Sequence, residues 1–190
     1  MNSTEVSKQK EMTSFAHRLL EWYDVHAREM PWRVPPHDHA QGVRADPYHV
    51  WLSEVMLQQT QVATVKDYFL KFINKWPTIF DLATSDQEDV LKAWAGLGYY
   101  SRARNLKKCA DVVVAEYDGK FPSTFEELKK LPGIGDYTAS SIASIAFDKP
   151  VAVMDGNVER VISRHYRIET YFPDAKPQVK EILANILDKE

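Results

Sequence analysis

The stretch Leu131-Pro132-Gly133-Ile134-Gly135-Asp136 leaves the chain around it little freedom. Proline ends a helix because it lacks an N–H and its ring clashes with the preceding turn. Glycine admits backbone conformations that a side chain hinders. Ahead of it, Ser123 to Lys130 reads as a short helix opened by a Ser123…Glu126 capping box. Behind it, Tyr137 to Phe147 reads as an alanine- and serine-rich helix with Asp136 as its N-cap. A helix, a tight hairpin and a second helix are expected. The N–H groups and dipole at the start of that second helix would seat one phosphate. An ordinary helix–helix link with no ligand would use the same residues.

The rest of the chain is read as helices too. Val6 to Glu29 is one amphipathic helix, with Phe15, Leu19, Trp22, Tyr23 and His26 on a single stripe. Val34 to Asp46, with two adjacent prolines, His37 and His39, is expected to be a loop. Only Asp38 stands near those histidines as a third ligand, which is short of a metal site. Asp46-Pro47 starts a helix that runs through Leu57. A second, Thr60 to Lys75, turns Val62, Val65, Phe69, Phe72, Ile73 and Trp76 to one side and stops at Pro77. Ser85…Glu88 opens a short helix to Ala95, Gly96-Leu97-Gly98 breaks the chain, and a helix follows to near Tyr117. Asp155 can cap a helix to about Arg167, and Pro177 begins a last one that reaches Glu190. No alternation of period two is sustained, so the class is all-α.

Composition sets the bounds. A chain of 190 residues, 44% hydrophobic and 27% charged, can bury a sizeable core and has no disorder signature. No apolar run approaches a membrane span, Met1 to Lys10 is polar, and a cytoplasmic protein without a membrane partner is expected. The lone cysteine, Cys109, excludes a disulfide framework and reads as a small buried hydrophobe. A net charge of −3 does not advertise nucleic-acid binding. Local basic runs do exist, at Arg102, Arg104, Lys107 and Lys108 and at Arg160, Arg164 and Arg167.

Two carboxyls could carry chemistry. Glu54 lies mid-helix between large apolar neighbours, in Trp51-Leu52-Ser53-Glu54-Val55-Met56-Leu57-Gln58-Gln59-Thr60. It is either a solvated face residue or a buried carboxyl, which burial would hold neutral and fit for general-acid work. Asp155, in Val153-Met154-Asp155-Gly156-Asn157-Val158, reads as an N-cap, and the N–H bonds of a cap keep a carboxylate ionised. A neutral acid and a fixed anion are the pair that glycosidic cleavage uses.

The hairpin, the Glu54 segment and the Asp155 segment together resemble the helix-hairpin-helix DNA glycosylases, most closely the adenine glycosylases of the MutY type. The resemblance runs from about Pro31 to Arg164 and implies two helical lobes with the active site in the cleft between them. Residues 1–45 would supply the N-terminal helix and loop of the second lobe. Residues 46–168 would form the catalytic lobe, with the hairpin motif at 123–147, and 169–190 would start the return to the second lobe.

By resemblance Glu54 protonates adenine N7, Asp155 stabilises the sugar cation, and Asn157 helps hold water or Glu54. Trp32 and Arg33 would line the adenine pocket, although locally they could equally anchor a loop. Gln58, Gln59, Thr60, Leu97 and Tyr99 would wedge into DNA beside the hairpin's Gly133, Ile134 and Gly135. Tyr99 and Tyr100 could instead be helix-start packing. Tyr137 stands where the related endonuclease III type has an imine-forming lysine, which implies base removal by water without strand cleavage. The implied partner is double-stranded DNA with A opposite 8-oxoguanine or guanine, bound by a monomer in a bacterial, nucleoid-associated setting. The family also implies a four-cysteine [4Fe–4S] cluster and a domain that reads 8-oxoguanine, and this sequence lacks the cysteines. A thymine/uracil–G mismatch glycosylase and a catalytically silent DNA-binding fragment are the alternatives.

Overall fold

The computed structural model describes residues 3–187, with side chains from Phe15 onward. Among the described residues all regular structure is helical. The chain divides into two compact units, one of Glu29–Lys149 and one of Met1–Arg28 with Pro150–Glu190. The helix that Asp155 caps therefore falls in a different unit from the hairpin.

The Glu29–Lys149 unit holds α2 (Pro36–Ala40), α3 (Pro47–Leu57), α4 (Val62–Lys75), α5 (Ile79–Thr84), α6 (Gln87–Ala93), α7 (Tyr100–Tyr117), α8 (Phe125–Leu128) and α9 (Asp136–Phe147). Helix α3 is its centre and touches α4, α7 and α9. Asp46 caps it by accepting from the Tyr48 N–H at 2.8 Å, and Pro47 pre-sets its first turn. Val50, Trp51, Leu52, Ser53, Val55 and Met56 are all buried, so α3 is covered on nearly every side. Each large apolar side chain buried this way contributes about 1.5–3 kcal/mol. The core continues through Phe69, Phe72, Leu82, Trp94 and Leu106, with Phe72 edge-on to Trp94 at 5.8 Å. Ala139, Ser140 and Ala143 of α9 are buried, and their small size lets that helix lie close against α3.

Several local expectations are corrected. The 34–46 stretch is not all loop, because His37 to Ala40 make a helical turn that Pro36 begins. Its histidines hold protein partners: His37 meets Asp38 at 3.1 Å, and His39 lies 3.4 Å from Asp148. Helix α5 was not foreseen at all. Thr78 and Asp81 cap it reciprocally, and Ser85 closes it by donating to the Leu82 carbonyl at 2.7 Å, so Ser85 is not the cap of α6. The cap of α8 is Thr124 with Glu127, one residue beyond the expected Ser123…Glu126 pair. Gly135, not Asp136, is the N-cap of α9, and Asp136 in its first turn pairs with Lys129 at 2.8 Å.

The other unit holds α1 (Ser3–His26), α10 (Gly156–His165) and α11 (Lys176–Ile186), with α11 packed on both α1 and α10. Helix α10 ends two residues short of Arg167, which takes a left-handed φ of 52°. The last helix ends at Ile186, where Leu187 turns to ψ 128°, and so does not run unbroken to the expected Glu190, which itself lies outside the described residues. On α1, Phe15 packs on the His165 ring at 4.7 Å, while Leu19, Leu20, Trp22, Tyr23 and Val25 remain exposed.

Candidate active site

Burial isolates Glu54. Within the run Trp51 to Met56 it is the one residue of α3 that is not buried; it is half-exposed on a helix that the core otherwise surrounds. Asp155 is held differently. Its Oδ1 accepts from the Asn157 N–H at 3.0 Å and the Val158 N–H at 2.8 Å, and its Oδ2 from the Asn157 side-chain amide at 3.3 Å. Three N–H bonds and the positive end of α10 fix this carboxylate in place. Asn157 also accepts from Arg160 at 3.3 Å, so its amide is committed on both sides. Glu54 and Asp155 are carried by different units.

The hairpin's two glycines do different jobs. Gly133 has φ +76°, and a Cβ there would sit 2.7 Å from the Asn105 Cβ of α7. Gly135 has φ −92°, which any residue adopts, and a Cβ there would meet nothing within 4 Å. Only Gly133 needs a glycine-specific backbone. Ile134, expected to face DNA, is buried at 6% exposure, whereas Tyr137 is 40% exposed at the start of α9.

Two turns stand at the end of α3 and ahead of α7. Gln58 caps α3 and donates to the Thr138 hydroxyl of α9 at 3.3 Å, which ties the first turn to the hairpin helix. Gln59 is exposed with φ 56°, and Tyr99 is 63% exposed with φ 47°. Leu97 is buried. Trp32 is buried too, edge-on to Phe69 at 5.3 Å, while its neighbour Arg33 is exposed.

Sequence reasoning missed the role of Arg102, which it placed only in a locally basic run. Its Nη1 donates to the Val55 and Met56 carbonyls at 3.0 and 3.1 Å. Its Nη2 reaches the Leu97 carbonyl at 2.9 Å, the Thr60 hydroxyl at 3.3 Å and the Gly98 carbonyl at 3.4 Å. Burial draws its pKa down from the ordinary value, and Tyr99 opposes that. Lys107 of the same run is also buried, donating to the Ala83 carbonyl at 2.9 Å and pairing with Asp111. Only Arg104 and Lys108 remain as an exposed pair there, while Arg160, Arg164 and Arg167 are all exposed.

A [4Fe–4S] cluster of the all-cysteine kind needs four thiolates. The sequence has only Cys109, fully buried in α7 with its thiol pKa pushed far up by burial. The residues present do not fit the cluster. Among the described residues no helix is long and apolar enough to cross a membrane.

The chain is similar in sequence and fold to known proteins. The chain is 52% identical over 155 residues to the adenine DNA glycosylase of Mus musculus, covering 81% of this chain and 30% of that protein. It is 42% identical over 155 residues to the adenine DNA glycosylase of Buchnera aphidicola subsp. Baizongia pistaciae, covering 81% of this chain and 42% of that one. It thus spans less than half the length of either relative. A thermostable thymine-DNA glycosylase superimposes with a TM-score of 0.77 at 28% identity, over 95% of this chain and 80% of that one. A trapped endonuclease III–DNA covalent intermediate shares the fold with a TM-score of 0.74 at 24% identity, over 96% and 79%. The family model described as HhH-GPD superfamily base excision DNA repair protein matches residues 52–189, and the chain belongs to that superfamily.

Proposed function

We propose that the chain hydrolyses the N-glycosidic bond of adenine mispaired with 8-oxoguanine or guanine in duplex DNA. Glu54 gives its proton to adenine N7, and the C1′–N9 electron pair leaves with the base. Asp155 faces the positive charge left on the sugar. Water then adds its oxygen to C1′ and releases a proton, which leaves an abasic strand uncut. Tyr137 has no amine with which to form an imine, so the reaction stops there. Gln58, Gln59, Thr60 and Tyr99 occupy the duplex where the adenine has left, since a base reached in a duplex must be extruded; Leu97, expected to join them, is buried behind the turn instead. The hairpin holds a backbone phosphate through the N–H groups that open α9.

One observation carries the reading. Asp155 is fixed by three N–H bonds on a chain that is 52% identical to a mammalian adenine DNA glycosylase. A cap needs one or two such bonds, and an anion that must not turn away from a cation benefits from all three. The likeness to a thymine-DNA glycosylase supports thymine release from T opposite G as the second reading.

Single-turnover base release decides between them, on duplexes with A opposite 8-oxoguanine, A opposite G, and T opposite G. Adenine release that Glu54→Gln abolishes, with strands that break only in alkali, is the expected result. Thymine release in its place transfers the assignment to the second reading. Release from none of them leaves a DNA-binding fragment and refutes the proposal.

A further inference from the structure

We infer that Arg102 is a positioning residue that locks the Gln58–Thr60 and Leu97–Tyr99 turns to the Glu54-bearing end of α3 as one rigid wedge. The inference rests on the function proposed above and adds the device by which that wedge resists DNA.

The end of α3 leaves its last carbonyls without helical partners and with negative dipole character, which a cation satisfies. Arg102 takes two of them, from Val55 and Met56, the residues that directly follow Glu54. With the other arm of the same planar head it takes Thr60 from one turn and Leu97 and Gly98 from the other. The guanidinium lies between two rings, 5.3 Å from Trp94 and 5.6 Å from Tyr99, and Trp94 itself donates to the Gly98 carbonyl at 3.0 Å.

Such an arrangement is more than a solvated charge needs. Its Nε is buried without a hydrogen-bond partner, so the head is oriented by the carbonyls at the cost of one of its own donors. Both turns also hold a non-glycine residue in the left-handed region, Gln59 and Tyr99, a conformation that persists only where the surroundings over-determine it. Those two residues are the exposed ones. A turn pressed between base pairs yields unless something behind it holds, and Arg102 is what stands behind both. Lysine cannot replace it, because a point charge with three donors does not span carbonyls on both arms of a fork.

The test uses the full chain with Arg102→Lys and Trp94→Phe. In the free protein, hydrogen exchange of Arg102→Lys is expected to rise about tenfold in both turns, and that of Trp94→Phe in the second turn alone. With 2-aminopurine beside the mispaired adenine, the wild type raises fluorescence by unstacking, and Arg102→Lys does so far less. Base release from a paired duplex is expected to fall roughly a hundredfold, the cost of a misplaced reacting geometry. With the adenine in an unpaired bubble, release recovers to within about threefold of wild type, because the opening is already supplied.

Equal losses on paired and unpaired substrates mean a general structural role and overturn the inference. So does a variant that unstacks DNA as the wild type does. A wild type that opens no duplex removes the proposed function and this inference with it, a different outcome from a wild type that works with or without Arg102. If Arg102→Lys does not fold, Trp94→Phe decides alone: selective loss on paired DNA upholds the inference, and wild-type behaviour overturns it.

Discussion

Gly133→Ala and Gly135→Ala form a matched pair whose effects should separate structure from binding. At Gly133 an alanine would be forced to φ +76°, which costs about 1–2 kcal/mol for an L-residue. Its Cβ would also lie 2.7 Å from the Asn105 Cβ, so α7 or the hairpin must shift, at about 1–3 kcal/mol for overpacking. Together these give a loss of about 3 kcal/mol, and in a chain of this size about 6–12 °C in Tm. Asn105→Gly removes the colliding carbon. Alone it costs about 1 kcal/mol as a helical glycine, yet in the double variant it should return the clash share as a favourable coupling. At Gly135 there is neither strain nor a neighbour, so alanine should cost only about 0.5–1 kcal/mol, as a poorer N-cap than glycine. Its methyl would nonetheless occupy the open space over the start of α9, where a phosphate is proposed to sit. DNA affinity should then fall about tenfold while Tm drops far less than in Gly133→Ala. Thermal melts and duplex titrations at fixed salt read both effects. A stable Gly133→Ala would refute the steric argument, and a Gly135→Ala that binds DNA like wild type would refute the phosphate seat.

Three further outcomes follow from the geometry. Asp155→Asn keeps a capping oxygen and should cost only about 0.3–1 kcal/mol of dipole interaction while base release is lost; release that survives in Asn but falls in Asp155→Ala would reduce Asp155 to a cap. Tyr48→Phe should cost about 1–3 kcal/mol near neutral pH, since the Trp76 carbonyl loses the hydroxyl 2.8 Å away, and a urea midpoint equal to wild type would contradict this. Burial, then Asp81 and Asp46, push the Tyr48 pKa far up, so above about pH 10 the unfolded chain sheds this proton and the folded chain keeps it. Stability from that difference is whole below pH 10 and lost as pH rises, and a pH–melt profile of Tyr48→Phe should show a flatter alkaline limb.

Some of the signals that act within one turn of helix were legible in the sequence, and those that act across the fold were not. Asp46 and Asp155 cap where their sequences say, because an N-cap is a contact two or three residues long. The α8 start slipped by one because Ser123-Thr124 and Glu126-Glu127 offer two overlapping capping boxes. Local chemistry cannot choose between them; the structure takes the Thr124 box, whose helix ends on the fully buried Leu128. Helix α5 carried a usable sign, Thr78 three residues before Asp81, but six residues are too few to show a period. Arg102 carried none. Its acceptors Val55 and Met56 lie more than forty residues upstream, and in sequence it looks like any arginine at a helix start. Glu54 was read as either solvated or buried, and its half-exposed place on a covered helix reflects packing by α4, α7 and α9 that no local pattern encodes.

The division into units sets an order of events during synthesis. The Glu29–Lys149 unit is one unbroken stretch, so it can close as it leaves the ribosome once α9 emerges to pack on α3. The other unit takes α1 from one end of the chain and α10 and α11 from the other. Helix α1 is thus made before the Glu29–Lys149 unit and finds α11 only after it, since α11 emerges some 150 residues later. Through that interval Phe15 travels without the His165 ring on which it packs in the finished fold. A finished Glu29–Lys149 unit shortens the wait, because a folded body holds its two ends at a fixed distance and removes the closure entropy of a long flexible loop.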